Sequence, residues 1–397
     1  MTDTLQTDID EIMPGTVADR RWLHENPELG FQEFKTAEFV RQRLESLGVE
    51  DIQTGIAVTG VTGVIRGTAE GPGRNVLLRA DMDALPMQEE NDVDYKSQTD
   101  GVMHACGHDA HTAILMGVTR LLMERRDQFS GTVKVLFQPS EEQGTGGAKP
   151  MIEAGVLNDP PIDAVFGLHM ASGNPTGEAL VSGGPIMAAA DSYKIHIKGR
   201  GGHAARPQIA IDPVLIGMEI GVALQTIVSR NADPMDALVI SNCMFHAGTA
   251  GNVIPDTADM AGTVRTFTPE MRDLAQERLT EIATTIASTL GGEAEVEYRR
   301  GYPATVNDPE MAELVRRAAI EVVGAEHVKE RRPAMGAEDF SYFLIERPGA
   351  FFNVGCRNDE RGIVWGHHHP RFDVDEESLG IGMGTMVNTV LHYLRGE

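Results

Sequence analysis

The stretch TVKVLFQPSEE, residues 132–142, decides how the rest of the chain is interpreted. Its first part, 132–138, is rich in β-branched and large apolar residues and predicts a buried strand. Two acidic residues, Glu141 and Glu142, follow where packing gives no reason for them, and they point to opposite sides if the strand geometry continues. One carboxylate could bind a metal ion while the other moves protons, so the pair predicts an active site at a strand end.

Side chains that can bind metal ions also accompany other apolar runs of the chain. They are Asp81 and Asp83 after residues 75–79, Cys106 and His108 in a loop that contains Gly107, and His169 after residues 164–168. Strand ends converge at one edge of an open α/β sheet, which is where ligands bind. We therefore expect these side chains to meet the two glutamates in a single site.

The order of the predicted elements indicates an α/β domain that carries an insertion. Strand-like and helix-like segments alternate, as in a sheet covered on both faces, over residues 75–80, 111–126, 132–138, 147–154 and 163–168. From about Asp191 apolar and polar residues alternate, as in half-exposed antiparallel strands, and the first pattern resumes after Tyr302. We expect a catalytic domain of residues 1–189 and 299–397 and an inserted α+β domain of residues 190–298.

Length and charge restrict the class of protein further. A chain of 397 residues is too long for one comfortable core. Its net charge of −25 repels nucleic acids and anionic membrane surfaces, so neither is an expected partner. The start of the chain lacks the pattern of a secretion signal, and no apolar run approaches the roughly 20 residues of a membrane span. Three cysteines cannot all pair within the chain, so we expect reduced thiols in a cytoplasmic protein.

The thiol of Cys106 and the imidazole of His108 lie two residues apart, which suits borderline ions such as Zn, Mn, Co or Ni. An isolated pair of this kind is more often a buried cysteine beside a surface histidine. Here His104 and His111 add two further imidazoles that packing does not explain. The loop is therefore a candidate metal site.

Two further clusters hold candidate ligands whose roles stay open from spacing alone. Asp81 and Asp83 follow a strand and share one of its faces, and Asp83 could orient a metal ligand. The adjacent His367, His368 and His369 have diverging side chains, so they cannot all face one site. Spacing does not select one of the three.

Taken together, the ordered blocks of this sequence resemble the M20 metallopeptidase family, in the amidohydrolase branch that holds hippurate hydrolases and plant auxin-conjugate hydrolases. The blocks are residues 79–86 (RADMDALP), 106–111 (CGHDAH), 138–142 (QPSEE), 167–169 (GLH), 201–205 (GGHAA), 251–256 (GNVIPD) and 336–340 (GAEDF). The resemblance covers nearly the whole chain. So many blocks in one order do not arise by chance.

The resemblance implies a centre that binds two divalent metal ions, Mn, Zn, Co or Ni. The implied ligands are Cys106, His108, Glu142, His169 and, from its His-x-Pro context, His368. Glu141 would be the general base, and Asp83 would orient a ligand. Many other members of the family carry His-x-Asp at residues 81–83, so Asp81 occupies a ligand's place without an expected ligand role.

The implied reaction is hydrolysis of the amide bond of a small N-acyl amino acid, hippurate-like or an N-acetyl conjugate, by a metal-activated water with Glu141 as general base. The implied fold is a zinc-peptidase-like α/β catalytic domain with an inserted α+β dimerisation lid. A homodimer or larger homo-oligomer follows from that lid. Within it, His203 and Asn252 resemble residues that contact the substrate or its oxyanion. Arg265 could hold the substrate's α-carboxylate through a bidentate contact.

Three alternatives stay open on the sequence alone. The chain could be a dipeptidase or carboxypeptidase of the same family. Cys106 could instead be a nucleophile with His108 or His111 as its base. The third alternative is a catalytically silent metal-binding or scaffold protein. The presence of Glu141 argues against it, because a silent protein would tolerate the loss of the general base. The sequence identifies neither the acyl group, the amino acid nor the metal.

Overall fold

The computed structural model of the chain describes residues 2–143 and 146–397. Its helices are α1 (Thr2–Glu25), α2 (Phe34–Ser46), α3 (His108–Met123), α4 (Ala148–Glu153), α5 (Pro213–Thr226), α6 (Pro269–Thr289), α7 (Pro309–Val323), α8 (Ser341–Glu346) and α9 (Glu377–Arg395). Its strands are β1 (Glu50–Ile56), β2 (Gly60–Arg66), β3 (Arg74–Asp81), β4 (Gly131–Gln138), β5 (Ala164–Pro175), β6 (Ala179–Leu180), β7 (Gly184–Met187), β8 (Ala189–Lys198), β9 (Gly202–His203), β10 (Leu238–Ala247), β11 (Val253–Ile254), β12 (Thr257–Thr266), β13 (Glu293–Arg300), β14 (Thr305–Asn307), β15 (Val328–Lys329) and β16 (Gly349–Arg357). The elements divide between two units.

The first unit is built on an eight-stranded mixed sheet and comprises Met1–Ile186, Val306–Arg332 and Asp339–Glu397. The strand order is β1-β2-β4-β3-β5-β16-β6-β15, and the central strands β4, β3, β5 and β16 run parallel. Helices α1, α3 and α9 pack on one face, and α4 and α8 pack on the other. The predicted α/β class, with helices on both faces of the sheet, is confirmed.

The apolar run at β3 shows why the central strands need cover on both sides. Val76 and Leu78 belong to the core that contains α1, α3 and α9, whereas Leu77 belongs to the core that contains α4 and α8. Successive side chains of a strand point to opposite faces. A strand that is apolar at every position must therefore be buried on both faces.

Helix α3 brings two of the predicted imidazoles to the edge of this sheet. Gly107 precedes the helix with φ of +94°, a conformation that glycine adopts without strain. Nearly all residues of α3 are buried, as expected for a helix that is apolar around its whole circumference. His108 and His111 are three residues apart and lie on one face of the helix.

The chain turns sharply where β4 ends. Gln138 lies opposite Asp81, the last residue of β3, and the strand does not continue through Glu141 and Glu142. The expectation that strand geometry would send the two glutamates to opposite sides is therefore wrong. Ser140 has φ of +51°, a strained conformation that concentrates at functional sites. A Cβ atom on Gly30 would lie 2.6 Å from Ser140 Oγ, so only glycine allows this close approach.

The second unit comprises Met187–Thr305 with Pro333–Glu338. A four-stranded antiparallel sheet in the order β10-β12-β8-β13 packs one face against α5 and α6. The strands β9 and β11 pair with each other as a separate two-stranded ribbon in the same unit. This unit is wider at each end than the expected insertion of residues 190–298, and it also includes Pro333–Glu338, a segment expected in the catalytic domain.

One helical segment of the second unit, Pro213–Asn231, is long and apolar enough to cross a membrane by length and composition. It joins α5 to a π-helical turn. The expectation that no apolar run approaches this length is wrong for the segment. A single such helix is weak evidence of a membrane span, because core helices of soluble proteins have the same composition.

Candidate metal centre

The carboxylate of Asp83 organises the turn that carries the two glutamates. Its Oδ1 accepts a hydrogen bond from the backbone N–H of Glu141 at 2.9 Å, and its Oδ2 accepts one from that of Glu142 at 3.0 Å. Asp83 is buried two residues beyond the end of β3, next to the end of β4. Both glutamates are thereby fixed at the predicted edge of the sheet, and Glu141 is itself buried.

His108 is oriented by the same aspartate. Its Nδ1 donates to the backbone oxygen of Asp83 at 2.9 Å and lies 3.2 Å from Oδ1. Because a carbonyl oxygen only accepts, Nδ1 carries a proton and the lone pair of the neutral ring is on Nε2. That Nε2 atom is buried and has no hydrogen-bond partner among the described residues. A metal ion would satisfy it.

His169 and Cys106 contact each other beside His108. The ring of His169 donates from Nδ1 to the backbone oxygen of Met170 at 2.7 Å, so its lone pair is also on Nε2. Cys106 Sγ lies 3.4 Å from this Nε2. Burial and the neighbouring imidazoles hold the pKa of His169 well below its usual range. The ring is neutral, as a metal ligand must be.

His368 is the member of the histidine triplet that reaches the glutamates. Its Nε2 lies 3.1 Å from Glu142 Oε1, and its backbone N–H donates to the oxygen of Ala105 at 2.8 Å. Its φ is +61°, an uncommon conformation for a residue other than glycine. The residue with the strained backbone is therefore the one whose side chain contacts Glu142.

The two neighbouring histidines have other partners. His367 donates from Nε2 to the oxygen of Met170 at 3.0 Å, and its Nδ1 lies 3.0 Å from the hydroxyl of Ser172. His369 Nδ1 accepts from the backbone N–H of Arg371 at 3.0 Å, and its ring stacks on Trp365. Both nitrogens of His367 are thus occupied, and His369 is directed elsewhere.

The electrostatics of the site favour a bound cation. Burial opposes a positive charge on His108, but the carboxylates of Asp81, Asp83 and Glu142 outweigh it and raise the pKa of His108 to about 10. Burial, reinforced by Glu142 and Glu141, holds the pKa of the Cys106 thiol well above its usual range. The thiol is therefore protonated at neutral pH unless a metal ion replaces the proton.

The donor set fits two divalent ions. Side-chain donor atoms within 4.8 Å of one another form the groups Cys106–His108–His169, Cys106–Glu142–His368 and His108–Glu141–Glu142. The groups share members, so they make one centre with room for more than one ion. Thiolate, imidazole and carboxylate together suit borderline divalent metals. The structure brings all five predicted ligands together beside Glu141, and their individual roles stay predictions.

Asp81 does not offer a free carboxylate to this centre. Its Oδ2 accepts from Arg79 Nη1 at 2.7 Å, and its Oδ1 accepts from His111 Nδ1 at 2.6 Å. Arg79 also donates to Asp339 at 2.8 Å and to Gln138 at 2.9 Å. Asp339 and Gln138 lie inside blocks of the resemblance, but nothing in the sequence indicated this contact.

Three more buried contacts also escaped sequence reasoning. Glu33 Oε1 accepts from the backbone N–H of Ser140 at 2.8 Å and so supports the strained turn before the glutamates. Asp109, the second residue of α3, pairs with Arg20 at 2.8 Å and with His24 at 2.7 Å. These partners come from the first 33 residues, where no motif marks them.

The second unit holds the remaining candidates. His203 is exposed in β9, pairs with Val253 of β11, and accepts at Nδ1 from the N–H of Ala205 at 3.1 Å, so its proton is on Nε2. Asn252 is exposed, and its backbone oxygen accepts from the backbone N–H of Ala204 at 3.1 Å. The exposed Nε2–H of His203 is available as a hydrogen-bond donor.

Arg265 lies on β12 in the same unit, with its guanidinium partly engaged. Nε donates to the backbone oxygen of Met335 at 3.1 Å, and Nη1 contacts Thr263 and the oxygen of Val264. No hydrogen bond among the described residues engages Nη2. This nitrogen is free to bind an anion.

Comparison with protein families and curated proteins finds matches along almost the entire chain. Residues 77–392 match the model of peptidase family M20/M25/M40. Thermostable carboxypeptidase 2 of Saccharolobus solfataricus is 43% identical over 96% of both chains. IAA-amino acid hydrolase ILR1-like 4 of Arabidopsis thaliana is 42% identical over 95% of this chain and 85% of its own. N-acetylcysteine deacetylase of Bacillus subtilis is 41% identical over 91% of this chain and 92% of its own.

A solved structure shows the same fold. The Bacillus subtilis YXEP protein, a dinuclear metal-binding peptidase from family M20, superposes with a TM-score of 0.85. The two chains are 35% identical, and the match covers 98% of this chain and 99% of the other. The likeness therefore spans both units of the fold.

Proposed function

The chain belongs to peptidase family M20/M25/M40, whose members are metal-dependent hydrolases of amide bonds, and from that premise we propose that it hydrolyses N-acyl amino acids. The observation that carries this proposal is that five potential ligands, from the buried His108 to the exposed His368, converge with the buried Glu141 beside them. The names of its relatives support the substrate class. IAA-amino acid conjugates, N-acetylcysteine and carboxypeptidase substrates share an amide nitrogen that belongs to an amino acid.

We assign the metal ligands to Cys106, His108, Glu142, His169 and His368. When bound, two divalent ions polarise the scissile carbonyl and make water acidic enough to lose a proton at neutral pH. Mn, Zn, Co and Ni all suit this mixed set of sulfur, nitrogen and oxygen donors.

Glu141 is the proposed general base. Its backbone N–H is fixed by Asp83 at 2.9 Å, and its side chain is buried within 4.8 Å of the donor atoms of His108 and Glu142. A carboxylate in this position takes a proton from the attacking water and later gives it to the leaving amine. Asp83 acts by orienting His108 and the turn.

The second unit is proposed to recognise the substrate. The Nε2–H of His203 would donate to the oxyanion, and Asn252 would contact the substrate beside it. Arg265 Nη2 would bind the α-carboxylate of the amino acid. The amino-acid part of the substrate is then recognised through its charged carboxylate. The acyl part is recognised through the shape of the pocket.

We further propose that the chain is a homodimer formed through this unit. Strand β10 is at the edge of its sheet, and α5 exposes an apolar stripe in which Leu215 is 50%, Met218 58% and Val222 72% exposed. An open strand edge and an apolar stripe together favour association with a second copy. Cysteines without disulfide bonds are consistent with the proposed cytoplasmic location.

A charge introduced into the apolar stripe tests the dimer. Met218→Glu should yield monomers in sedimentation experiments, whereas Met235→Glu, a matched change at a residue that is 91% exposed off the helix, should not. If Met218→Glu is dimeric, as Met235→Glu is expected to be, the dimer is not formed through the apolar stripe of α5. Binding of the wild type to lipid vesicles would instead assign the stripe to a membrane surface.

A substrate panel tests the function itself. Metal-loaded enzyme should hydrolyse N-benzoylglycine and N-acetyl amino acids and should act poorly on N-benzoylglycinamide, which lacks the carboxylate. Preference for peptides over these compounds would support the second candidate, a carboxypeptidase, which the 43% identical relative favours. Activity that survives a chelator but not a thiol alkylator would support a Cys106 nucleophile, which the raised thiol pKa disfavours.

A further inference from the structure

His111 is a buried histidine one turn beyond the proposed ligand His108 on α3, and it has no role in the proposed reaction. Its Nε2 accepts a hydrogen bond from the backbone N–H of Met170 at 2.9 Å. A ring nitrogen that accepts from an N–H carries no proton, so the proton is on Nδ1. Nδ1 donates that proton to Asp81 Oδ1 at 2.6 Å. Both nitrogens are committed, and the ring is not available to a metal ion.

The backbone of Met170 connects His111 to the metal centre. Its carbonyl oxygen accepts from His169 Nδ1 at 2.7 Å and from His367 Nε2 at 3.0 Å. The first of these bonds sets the tautomer and the direction of His169, whose Nε2 points toward Cys106. A shift of Met170 would therefore turn a proposed ligand.

Met170 needs a side-chain partner because the sheet does not supply one on this side. Strand β3 pairs with β5 only as far as Gly167, three residues earlier. A buried backbone N–H without an acceptor destabilises the folded structure around it. His111 supplies the acceptor that the end of β3 leaves out.

A rigid anchor holds His111 in turn. Asp81, which receives its Nδ1 proton, is fixed by Arg79, and Arg79 is fixed by Asp339 and Gln138. All five side chains are at most 2% exposed. Water therefore cannot compete for the hydrogen bonds that link Arg79, Asp81, His111 and Met170.

We propose that His111 is a positioning residue that aims the metal ligand His169 through the backbone of Met170, with Asp81 as its anchor. The inference rests on the proposed metal centre. It also gives a function to Asp81, at a position where, by the resemblance, many other members of the family carry a histidine.

Two substitutions separate the two halves of the contact. His111→Gln places an amide oxygen where Nε2 was and can still accept from Met170. His111→Asn is shorter, keeps an amide N–H for Asp81, and leaves the Met170 N–H without an acceptor. Zn²⁺ affinity, measured by competition with a chelator, should fall by about 10-fold to 100-fold in His111→Asn, the usual effect of losing an outer contact of a ligand. It should stay within about threefold in His111→Gln.

Cobalt spectra and a matched control distinguish positioning from general destabilisation. The Co²⁺-substituted His111→Asn protein should show altered d–d absorption, whereas His111→Gln should resemble the wild type. His392, a histidine of α9 that pairs with Glu321 at 3.2 Å, is the control, and its Asn and Gln variants should keep wild-type affinity. Equal loss of affinity in both His111 variants, or a lower unfolding temperature with unchanged affinity, would overturn the proposal.

One measurement needs no variant. Nitrogen-15 spectra of the wild type should show His111 neutral with its proton on Nδ1, and the opposite tautomer would overturn the proposal even if His111→Asn fails to fold. Failure of the proposed function is recognised separately. A chain that binds Zn²⁺ as described but hydrolyses no N-acyl amino acid would refute the substrate and leave the role of His111 intact.

Discussion

The two units of this chain place their candidate residues in opposite physical settings. In the first unit His108 and His169 are largely buried, and a backbone carbonyl fixes the tautomer of each ring. In the second unit His203 and Asn252 are exposed on a short ribbon and have few side-chain partners. A metal centre needs donors held within a narrow geometry. Groups that meet a substrate must stay accessible to it.

This contrast separates what a mutation in each unit should do. A change at a proposed ligand or at Glu141 in the first unit should remove metal or stop proton transfer. A change in the second unit should leave metal content intact and alter only the kinetics with substrate. Substitutions in both units test whether their effects differ in this way.

The largest effect is expected from the loss of a proposed ligand. In His368→Ala, elemental analysis should show loss of metal, and activity should be lost as well. Glu142→Ala should behave in the same way, because the two side chains are 3.1 Å apart in one donor group. His369→Ala is the control, since that ring stacks on Trp365. Metal loss in His369→Ala with full occupancy in His368→Ala would reverse the assignment.

The next effect is chemical and should leave the metal in place. Glu141→Gln should keep metal content and folding but lower kcat by at least about 100-fold, the usual contribution of a general base. Glu153→Gln, an exposed change on α4, is the matched control. Near-wild-type turnover of purified Glu141→Gln would show that another group takes the proton.

How much of this was predictable differs between elements. The central strands β3, β4 and β5 were predicted because their apolar runs are continuous, which only a strand buried on both faces requires. Strand β13 was missed, although polar and apolar residues alternate along EAEVEYRR as in a half-exposed strand. The expected end of the insertion at residue 298 therefore lies inside that strand.

The site shows the same limit. The resemblance supplied the ligand set, and clustering of Cys106, His108 and the two glutamates pointed to it independently. The partners that hold these groups could not be predicted, because Asp339 meets Arg79 across 260 residues and Glu33 meets Ser140 across 107. Such contacts exist only after folding and leave no local pattern.

In the second unit, His203 is expected to act on the partner subunit's site if the proposed dimer forms. His203→Ala should keep its metal and lose about 100-fold in kcat, equivalent to roughly 3 kcal/mol for one oxyanion donor. Mixing this variant with Glu141→Gln should restore activity, because an exchanged heterodimer holds one intact site if His203 serves the partner subunit. A mixture that exchanges subunits and regains nothing would place His203 in its own subunit's site or in none.

The smallest effect is expected at Arg265, and it should appear in KM. Arg265→Met should raise KM for N-benzoylglycine by about 10-fold to 100-fold, the value of one or two charge-assisted hydrogen bonds, and leave metal content unchanged. Arg265→Lys should recover only part of the loss, because an ammonium cannot reproduce the planar fork. KM for N-benzoylglycinamide should hardly change, since that compound has no carboxylate to bind.

The control for Arg265 is Arg299→Met, a change on the exposed strand β13, where the guanidinium contacts Glu297. It removes the same charge from the same unit, so it measures any general electrostatic attraction of the substrate. If both variants raise KM equally, the attraction is diffuse and Arg265 has no specific role. If Arg265→Met impairs both compounds alike, the guanidinium supports β12 and the Met335 segment, and carboxylate recognition must be sought elsewhere.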